Sequence, residues 1–184
     1  MFGLTLILHA TEGLTIFTTE GHRRQDVESN PRPVPEITFI DQSNTALSIS
    51  YFKGKTILME FFFTSCPSYC YAMGSQFKKL QTHIMQSGIK NVVLMSVSFD
   101  YKNDANKQIQ TYSKRFNAQK PFWYVVRAKN NDELNQLIKT FEVIIVGNEQ
   151  SGYEHDSAVH LISSQSELYK IIDFTDDEGI RNVF

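Results

Sequence analysis

The chain has 184 residues, 41% of them hydrophobic and 21% charged, which predicts a single domain with enough apolar residues for a core. The formal net charge is -2 and the 18 lysines and arginines form no dense basic run, so a nucleic-acid-binding surface is disfavoured. The 2 cysteines are too few for a disulfide scaffold or for a four-thiolate zinc site.

The N-terminus carries a short apolar stretch at residues 2–8. It is shorter than the roughly 20 apolar residues that cross a bilayer, and it lacks the basic start of a signal peptide. Two interpretations stay open: a frayed tail, or the remnant of a membrane anchor whose first half is missing. The second interpretation would place the domain outside the cytoplasm.

Residues 20–36 are polar and include three closely spaced prolines, Pro31, Pro33 and Pro35. Closely spaced prolines favour an extended, semi-rigid chain. We therefore divide the chain into an N-terminal lead-in, residues 1–32, and a main domain, residues 33–184.

The main domain alternates between apolar runs typical of strands and apolar spacing typical of helices. The predicted elements, in chain order, are strands at 37–40, 47–49 and 56–63, a helix from Pro67 to near Gly88, a strand at 91–99, a helix at 104–116, a strand at 122–126, a helix at 132–141, strands at 158–162 and 168–174, and a helical turn opening at Asp176. We expect Asp104 and Asp132 to cap their helices.

This order of elements predicts an α/β fold in which a mixed central sheet is flanked by helices. The run at 56–63 is apolar apart from Glu60, which is typical of a central strand buried on both faces. Open α/β sheets place their functional sites at the carboxyl ends of such strands. The residues that follow position 63 are therefore the first candidates for a site.

Cys66 and Cys70 occupy that position, with a predicted helix beginning between them. On a regular helix their Cβ atoms would be roughly 5–6 Å apart, whereas a disulfide requires about 3.5–4.5 Å. A disulfide would thus need a distorted first turn, while two thiolates could share a metal ion without one. The pair alone leaves three interpretations open: a structural pair, a redox pair and a soft-metal site.

A metal site needs further ligands, and imidazole is the natural partner of thiolate for copper or zinc. The chain has five histidines: His9, His22, His83, His155 and His160. The first two precede the main domain, and His83 lies 13 residues (83 minus 70) past Cys70 on the same predicted helix, or about 20 Å away. His160 falls within a strand. His155, in a polar loop at 151–157, can lie beside the cysteine turn in such a fold.

Several segments together resemble one known family. They are Pro33-Val34-Pro35 before the first strand, Gly54-Lys55 before the apolar strand, the motif at 63–70 (Phe-Thr-Ser-Cys-Pro-Ser-Tyr-Cys), residues 96–100 followed by Asp104, and His155 five residues before His160-Leu161-Ile162. Over about residues 33–175 the chain is similar to the Sco (SenC) proteins. Glu154 departs from the family, which commonly has Asp before this histidine.

The resemblance implies a thioredoxin-like fold and a copper metallochaperone that helps to assemble cytochrome c oxidase. It implies that Cys66, Cys70 and His155 bind copper, as Cu(I), Cu(II) or both. It also implies a monomer whose partners are the copper-site subunit of the oxidase and other copper chaperones. The implied location is the bacterial periplasm, at the inner membrane, or alternatively the mitochondrial intermembrane space. Tyr69, Tyr71 and Trp123 are expected to contribute to a docking surface.

An enzymatic role is the alternative. As a thiol–disulfide oxidoreductase, the protein would use Cys66 to attack a partner's disulfide and Cys70 to resolve the mixed intermediate, with His155 only tuning proton transfer. A thiol peroxidase is disfavoured because the pair is arranged as Cys-x-x-x-Cys.

Overall fold

The computed structural model describes residues 19–66, 69–148, 152–155 and 157–184, with the backbone alone for residues 19, 146–148 and 152–155. The predicted anchor remnant at residues 2–8 and His9 lie outside these ranges. Across the described residues, none of the helices combines the length and apolar character needed to cross a membrane.

The described chain alternates between strands and helices as predicted, apart from an additional N-terminal helix, a short additional strand at 32–33 and an additional strand pair at 145–155. The helices are α1 (Thr19–Ser29), α2 (Tyr69–Ser87), α3 (Asn106–Phe116), α4 (Asn131–Phe141) and α5 (Asp177–Arg181). The strands are β1 (Arg32–Pro33), β2 (Thr38–Asp41), β3 (Ala46–Ser48), β4 (Thr56–Phe62), β5 (Val92–Ser98), β6 (Trp123–Ala128), β7 (Ile145–Asn148), β8 (Gly152–His155), β9 (Ala158–Ile162) and β10 (Glu167–Asp173).

A mixed eight-stranded sheet forms the centre of the molecule, in the order β1-β10-β9-β4-β5-β6-β2-β3. Strands β4, β5 and β6 are parallel, and the remaining pairs are antiparallel. The central position of β4 explains its apolar composition, because both of its faces are covered. The predicted mixed sheet flanked by helices is confirmed.

Side chains of β4 alternate between the two faces of the sheet. Phe61 packs against Phe141 of α4, with ring centroids 5.5 Å apart. Phe62 stacks on Tyr112 of α3, with centroids 4.0 Å apart. Glu60, two residues before Phe62, therefore points to the face that α2 and α3 cover.

The expectation of an extended lead-in is wrong for residues 19–29, which form helix α1. Val27 is fully buried, and the Arg23 guanidinium donates hydrogen bonds to the backbone oxygens of Phe141 and Glu142 at 3.1 and 2.9 Å. These contacts hold α1 on the domain although its sequence lacks a clear apolar face. The proline segment is extended as predicted, since β1 pairs with β10. A domain boundary at residue 32 stays a prediction.

Two predicted helix caps are wrong. Helix α3 begins after Ala105 without a side-chain cap, and the Asp104 carboxylate accepts hydrogen bonds from Thr64 and Ser98 instead. Helix α4 is capped by Asn130, whose side chain accepts a hydrogen bond from the Glu133 amide, so Asp132 lies within the first turn. The last helical turn does open at Asp176, which caps α5.

The polar segment around His155 was predicted as a loop, and this is wrong for the described part. Residues 152–155 form strand β8, which pairs antiparallel with β7, with Ile145 opposite His155. The β-branched residues Ile145 and Val146 favour a strand at this position. The chain leaves β8 just before it enters the main sheet through β9.

Candidate functional site

The two cysteines lie where the central strand ends and a helix begins. β4 ends at Phe62, a turn follows in which the Cys66 amide donates to the Phe63 carbonyl oxygen at 3.2 Å, and α2 begins at Tyr69. Cys70 is the second residue of that helix. The predicted position at the carboxyl edge of the sheet is thus observed for both thiols.

The thiols differ in exposure, Cys66 being half-buried and Cys70 only 2% exposed. The Cys70 amide donates a hydrogen bond to the Cys66 sulfur at 3.3 Å. This contact holds the Cys66 sulfur over the first turn of α2. Burial, followed by the adjacent Cys66, raises the pKa of the Cys70 thiol far above its usual range. Metal binding would therefore have to displace a proton from Cys70.

A buried carboxyl group lies beneath the thiols. Glu60 is 0% exposed, and the Tyr112 hydroxyl lies 3.5 Å from a Glu60 carboxyl oxygen and 3.3 Å from the Cys70 carbonyl oxygen. The Ser96 hydroxyl donates to the same Glu60 oxygen and accepts from the Trp123 indole at 2.9 Å. Burial raises the pKa of Glu60 to about 8, although these hydrogen bonds oppose the rise.

Asp104 fixes the turn that carries Cys66. Its buried carboxylate accepts hydrogen bonds from the Thr64 amide at 2.9 Å and from the Thr64 hydroxyl. It also accepts one from the Ser98 hydroxyl at 2.6 Å. Asp104 thus ties the turn two residues before Cys66 to the end of β5. Sequence reasoning missed this role, because the pairing spans 40 residues and leaves no local pattern.

The third predicted ligand, His155, ends strand β8, and its imidazole lies outside the described part of the structure. β9 runs antiparallel to β4, with His160 opposite Met59 and Ile162 opposite Ile57. The start of β9, which follows His155, is therefore directed towards the edge of the sheet at which β4 ends. Convergence of His155 on the thiols stays a prediction. The side chains that the structure describes include no group of three metal-binding residues.

The other described histidines have different surroundings. His160 is buried in the strand predicted for it, edge-on to Phe61 and near Phe141. His83 is exposed on α2, with its ring 5.5 Å from that of Phe184. His22 lies on α1. The long separation predicted between His83 and the thiols agrees with its position near the far end of α2.

Of the three aromatic residues expected on a docking surface, two are exposed and the third is buried. Tyr69 and Tyr71 are 59% and 62% exposed, and they flank Cys70 in the sequence. Trp123 is fully buried, because it lies on the sheet between Phe77 and Phe116. It therefore contributes to the core and not to a surface.

The sequence of this chain matches the model of one protein family. The sequence model of SCO1/SenC matches residues 25–181. A search of curated proteins finds no match.

Solved structures share the fold at low sequence identity. An SCO1/SenC family lipoprotein from Bacillus anthracis is 19% identical, over 83% of this chain and 95% of that one, with a TM-score of 0.73. BsSco, described as a cytochrome c oxidase assembly protein of the Sco family with a disulfide switch, is 23% identical over 84% and 92%, with a TM-score of 0.71. Arabidopsis thaliana ScoI with copper bound is 19% identical over 81% and 96%, with a TM-score of 0.67. The predicted thioredoxin-like fold is confirmed.

Proposed function

The chain belongs to the SCO1/SenC family, and we propose that it is a copper metallochaperone that binds copper through Cys66, Cys70 and His155 and delivers it to cytochrome c oxidase. The observation that carries this proposal is the juxtaposition of the two cysteines where β4 leads into α2, with the Cys70 amide donating a hydrogen bond to the Cys66 sulfur at 3.3 Å. The copper-bound structure of Arabidopsis ScoI supports copper as the metal.

The donor set suits copper chemically. Thiolates are soft ligands that favour copper(I), and imidazole binds copper in either oxidation state. Two thiolates and one imidazole give copper(I) a sufficient set of ligands, while leaving room for a ligand from another protein. A carrier needs such an open position, because it must release its metal by ligand exchange.

The unequal exposure of the thiols suggests an order for that exchange. Cys66 is half-buried and Cys70 is buried, so an incoming ligand reaches the metal from the side of Cys66. The Cys70 thiol, whose pKa burial raises, regains its proton readily when the metal leaves. Protonation of Cys70 thus favours release, and copper binding should weaken at lower pH.

The proposed recipient is the copper-site subunit of cytochrome c oxidase, and other copper chaperones are the proposed donors. BsSco, similar in fold, is described as belonging to a family of cytochrome c oxidase assembly proteins. The Bacillus anthracis relative is described as a lipoprotein, which supports an extracytoplasmic location. We place this protein in the periplasm, at the inner membrane, and as a monomer.

Thiol–disulfide exchange is the second candidate function. The half-buried Cys66 is accessible for attack on a partner's disulfide, and the buried Cys70 is placed to resolve the mixed disulfide. The disulfide switch described for BsSco supports this candidate. The two roles are linked, because an intramolecular disulfide would remove both thiolates from the metal.

Copper(I) titration of the reduced protein, in competition with a chromogenic chelator, tests the proposal. We expect one tightly bound ion per chain and at least a tenfold loss of affinity, about 1.4 kcal/mol, in His155→Ala. His83→Ala is the matched control, because that imidazole is exposed on α2, and its affinity should be unchanged. Copper should also raise the thermal midpoint, since it binds the folded state.

Weak copper binding that is insensitive to His155, together with turnover of a protein disulfide, would contradict copper carriage and favour the reductase. Equal losses in His155→Ala and His83→Ala would show that the loss does not come from a lost ligand.

A further inference from the structure

A small cleft opens beside the cysteine turn. It has a volume of about 160 Å³ and is lined by Thr64, Lys107, Gln108, Thr111, Tyr112 and Arg115. Five of these residues form one stripe along α3, and Thr64 closes the cleft from the turn that leads to Cys66. We call this feature the cationic cleft.

The charges of the cationic cleft are unbalanced. Lys107 and Arg115 are exposed, and the sequence of α3 contains no acidic residue. Within the ranges that the structure describes, neither side chain takes part in an ion pair. The nearby Asp104 carboxylate is buried and is occupied by Thr64 and Ser98. A local positive potential therefore persists on a chain whose net charge is -2.

The cleft is adjacent to the thiols. Thr64 precedes Cys66 by two residues, and the Tyr112 hydroxyl lies 3.3 Å from the Cys70 carbonyl oxygen. Tyr71, which is 62% exposed, packs against Phe116 with ring centroids 5.5 Å apart. An anionic group in the cleft would thus lie next to an exposed aromatic ring and beside the site of metal exchange.

We propose that the cationic cleft docks an acidic segment of the protein that exchanges copper with Cys66 and Cys70. The proposal rests on the proposed function for the identity of the site and adds the chemistry of the partner. The volume suits a carboxylate side chain, which Arg115 can hold through two parallel hydrogen bonds and Lys107 through its charge. Charge pairing of this kind orients a partner and speeds its association.

An acidic protein segment fits better than the other anions of a cell. Among the described residues that line the cleft, two are cations. The molecule as a whole is negative, so long polyanions such as nucleic acid and extended anionic membranes would be repelled elsewhere on the surface. A peptide carboxylate needs only the local charge, and an exposed tyrosine is typical of protein interfaces.

The test measures binding of a fluorescein-labelled peptide of five glutamates to the reduced, metal-free protein by fluorescence anisotropy, with a peptide of five glutamines for comparison. The double variant Lys107→Glu with Arg115→Glu should raise Kd for the glutamate peptide at least tenfold. The double variant Lys78→Glu with Lys79→Glu is the matched control, because it makes the same change in net charge at exposed positions of α2. Its Kd for the glutamate peptide should stay within about twofold of the wild-type value, because salt screens the effect of charges that lie far from the cleft.

Equal binding of the two peptides, or equal effects of the two double variants, would overturn the proposal. Tighter binding of oligo-deoxythymidine, or of phosphatidylglycerol vesicles, than of the glutamate peptide would assign the cleft to a different class of partner and overturn it too. Copper(I) stoichiometry should be the same in all variants, since Lys107 and Arg115 are not ligands. If the wild type binds the glutamate peptide but does not bind copper(I), the proposed function is refuted, while the assignment of the cleft to an acidic segment stands.

Discussion

The buried carboxyl of Glu60 makes a quantitative prediction about stability. Glu60 is 0% exposed at the centre of the sheet, and burial raises its pKa to about 8 from a usual value of 4.5. It is therefore neutral in the folded protein at pH 6. The substitution Glu60→Gln replaces this neutral acid by an amide of nearly the same shape.

The direction of the pH effect follows from the two pKa values. The folded state holds the proton of Glu60 more tightly than the unfolded chain does, so the stabilisation by this proton is complete below pH 4.5. It is lost as the pH rises towards about 8. At 1.36 kcal/mol per pH unit, the whole loss is about 5 kcal/mol, and roughly 2 kcal/mol of it falls between pH 6 and pH 8.

Urea unfolding of the reduced protein at pH 6 and at pH 8 measures this loss. Between the two pH values, the wild type should lose about 2 kcal/mol more unfolding free energy than Glu60→Gln. Glu167→Gln, at an exposed position of β10, is the control and should follow the wild type. The same pH dependence in wild type and Glu60→Gln would show that Glu60 is ionised in the folded protein, which would refute the reasoning.

Two further substitutions test the packing around the thiols. Gly74→Ala should destabilise the protein by about 1–3 kcal/mol in urea unfolding, because the added Cβ would lie 2.6 Å from the Phe116 ring where α2 meets α3. Helix propensity alone predicts the opposite, a gain in stability, and such a gain would contradict the expected clash. The Asp104 carboxylate accepts hydrogen bonds from three groups, the Thr64 amide, the Thr64 hydroxyl and the Ser98 hydroxyl. Asp104→Asn replaces one of its two acceptor oxygens by an amide group, which should lower the free energy of unfolding by about 1–3 kcal/mol. It should also speed hydrogen exchange of the Thr64 amide, and an unchanged rate would show that Asp104 does not hold the turn.

Much of the main domain was predictable because burial imposes simple patterns on strands. The strand at 158–162 was predicted with the observed bounds, and the predicted strand at 56–63 extends one residue beyond β4. Both are almost continuously apolar, which follows from their central places in the sheet. The alternation of strands and helices then restricts the fold to a small number of topologies.

Helix α1 was not predictable, because its stability comes from distant residues. It buries Val27 but otherwise has few apolar residues, so the sequence shows no amphipathic period. Its Arg23 is held by backbone oxygens 118 and 119 residues away, at the end of α4. No local pattern in the sequence indicates such a contact.

The candidate site was predictable in its thiols but not in its supporting residues. Cys66 and Cys70 were recognisable from their spacing after an apolar strand. Glu60 was visible as the one charged residue in that strand, and this exception was the signal for a buried carboxyl. Tyr112 and Asp104 gave no such signal, because their partners lie far away in the sequence.

X-ray absorption spectroscopy of the copper(I)-loaded protein tests the central claim most directly, because it counts the atoms bound to copper. We expect two sulfur ligands and one nitrogen ligand in the wild type. Cys66→Ser should remove one sulfur, and His155→Ala should remove the nitrogen while both sulfurs remain. A wild-type spectrum without nitrogen, or one that His155→Ala leaves unchanged, would contradict the convergence of the three side chains on one metal ion.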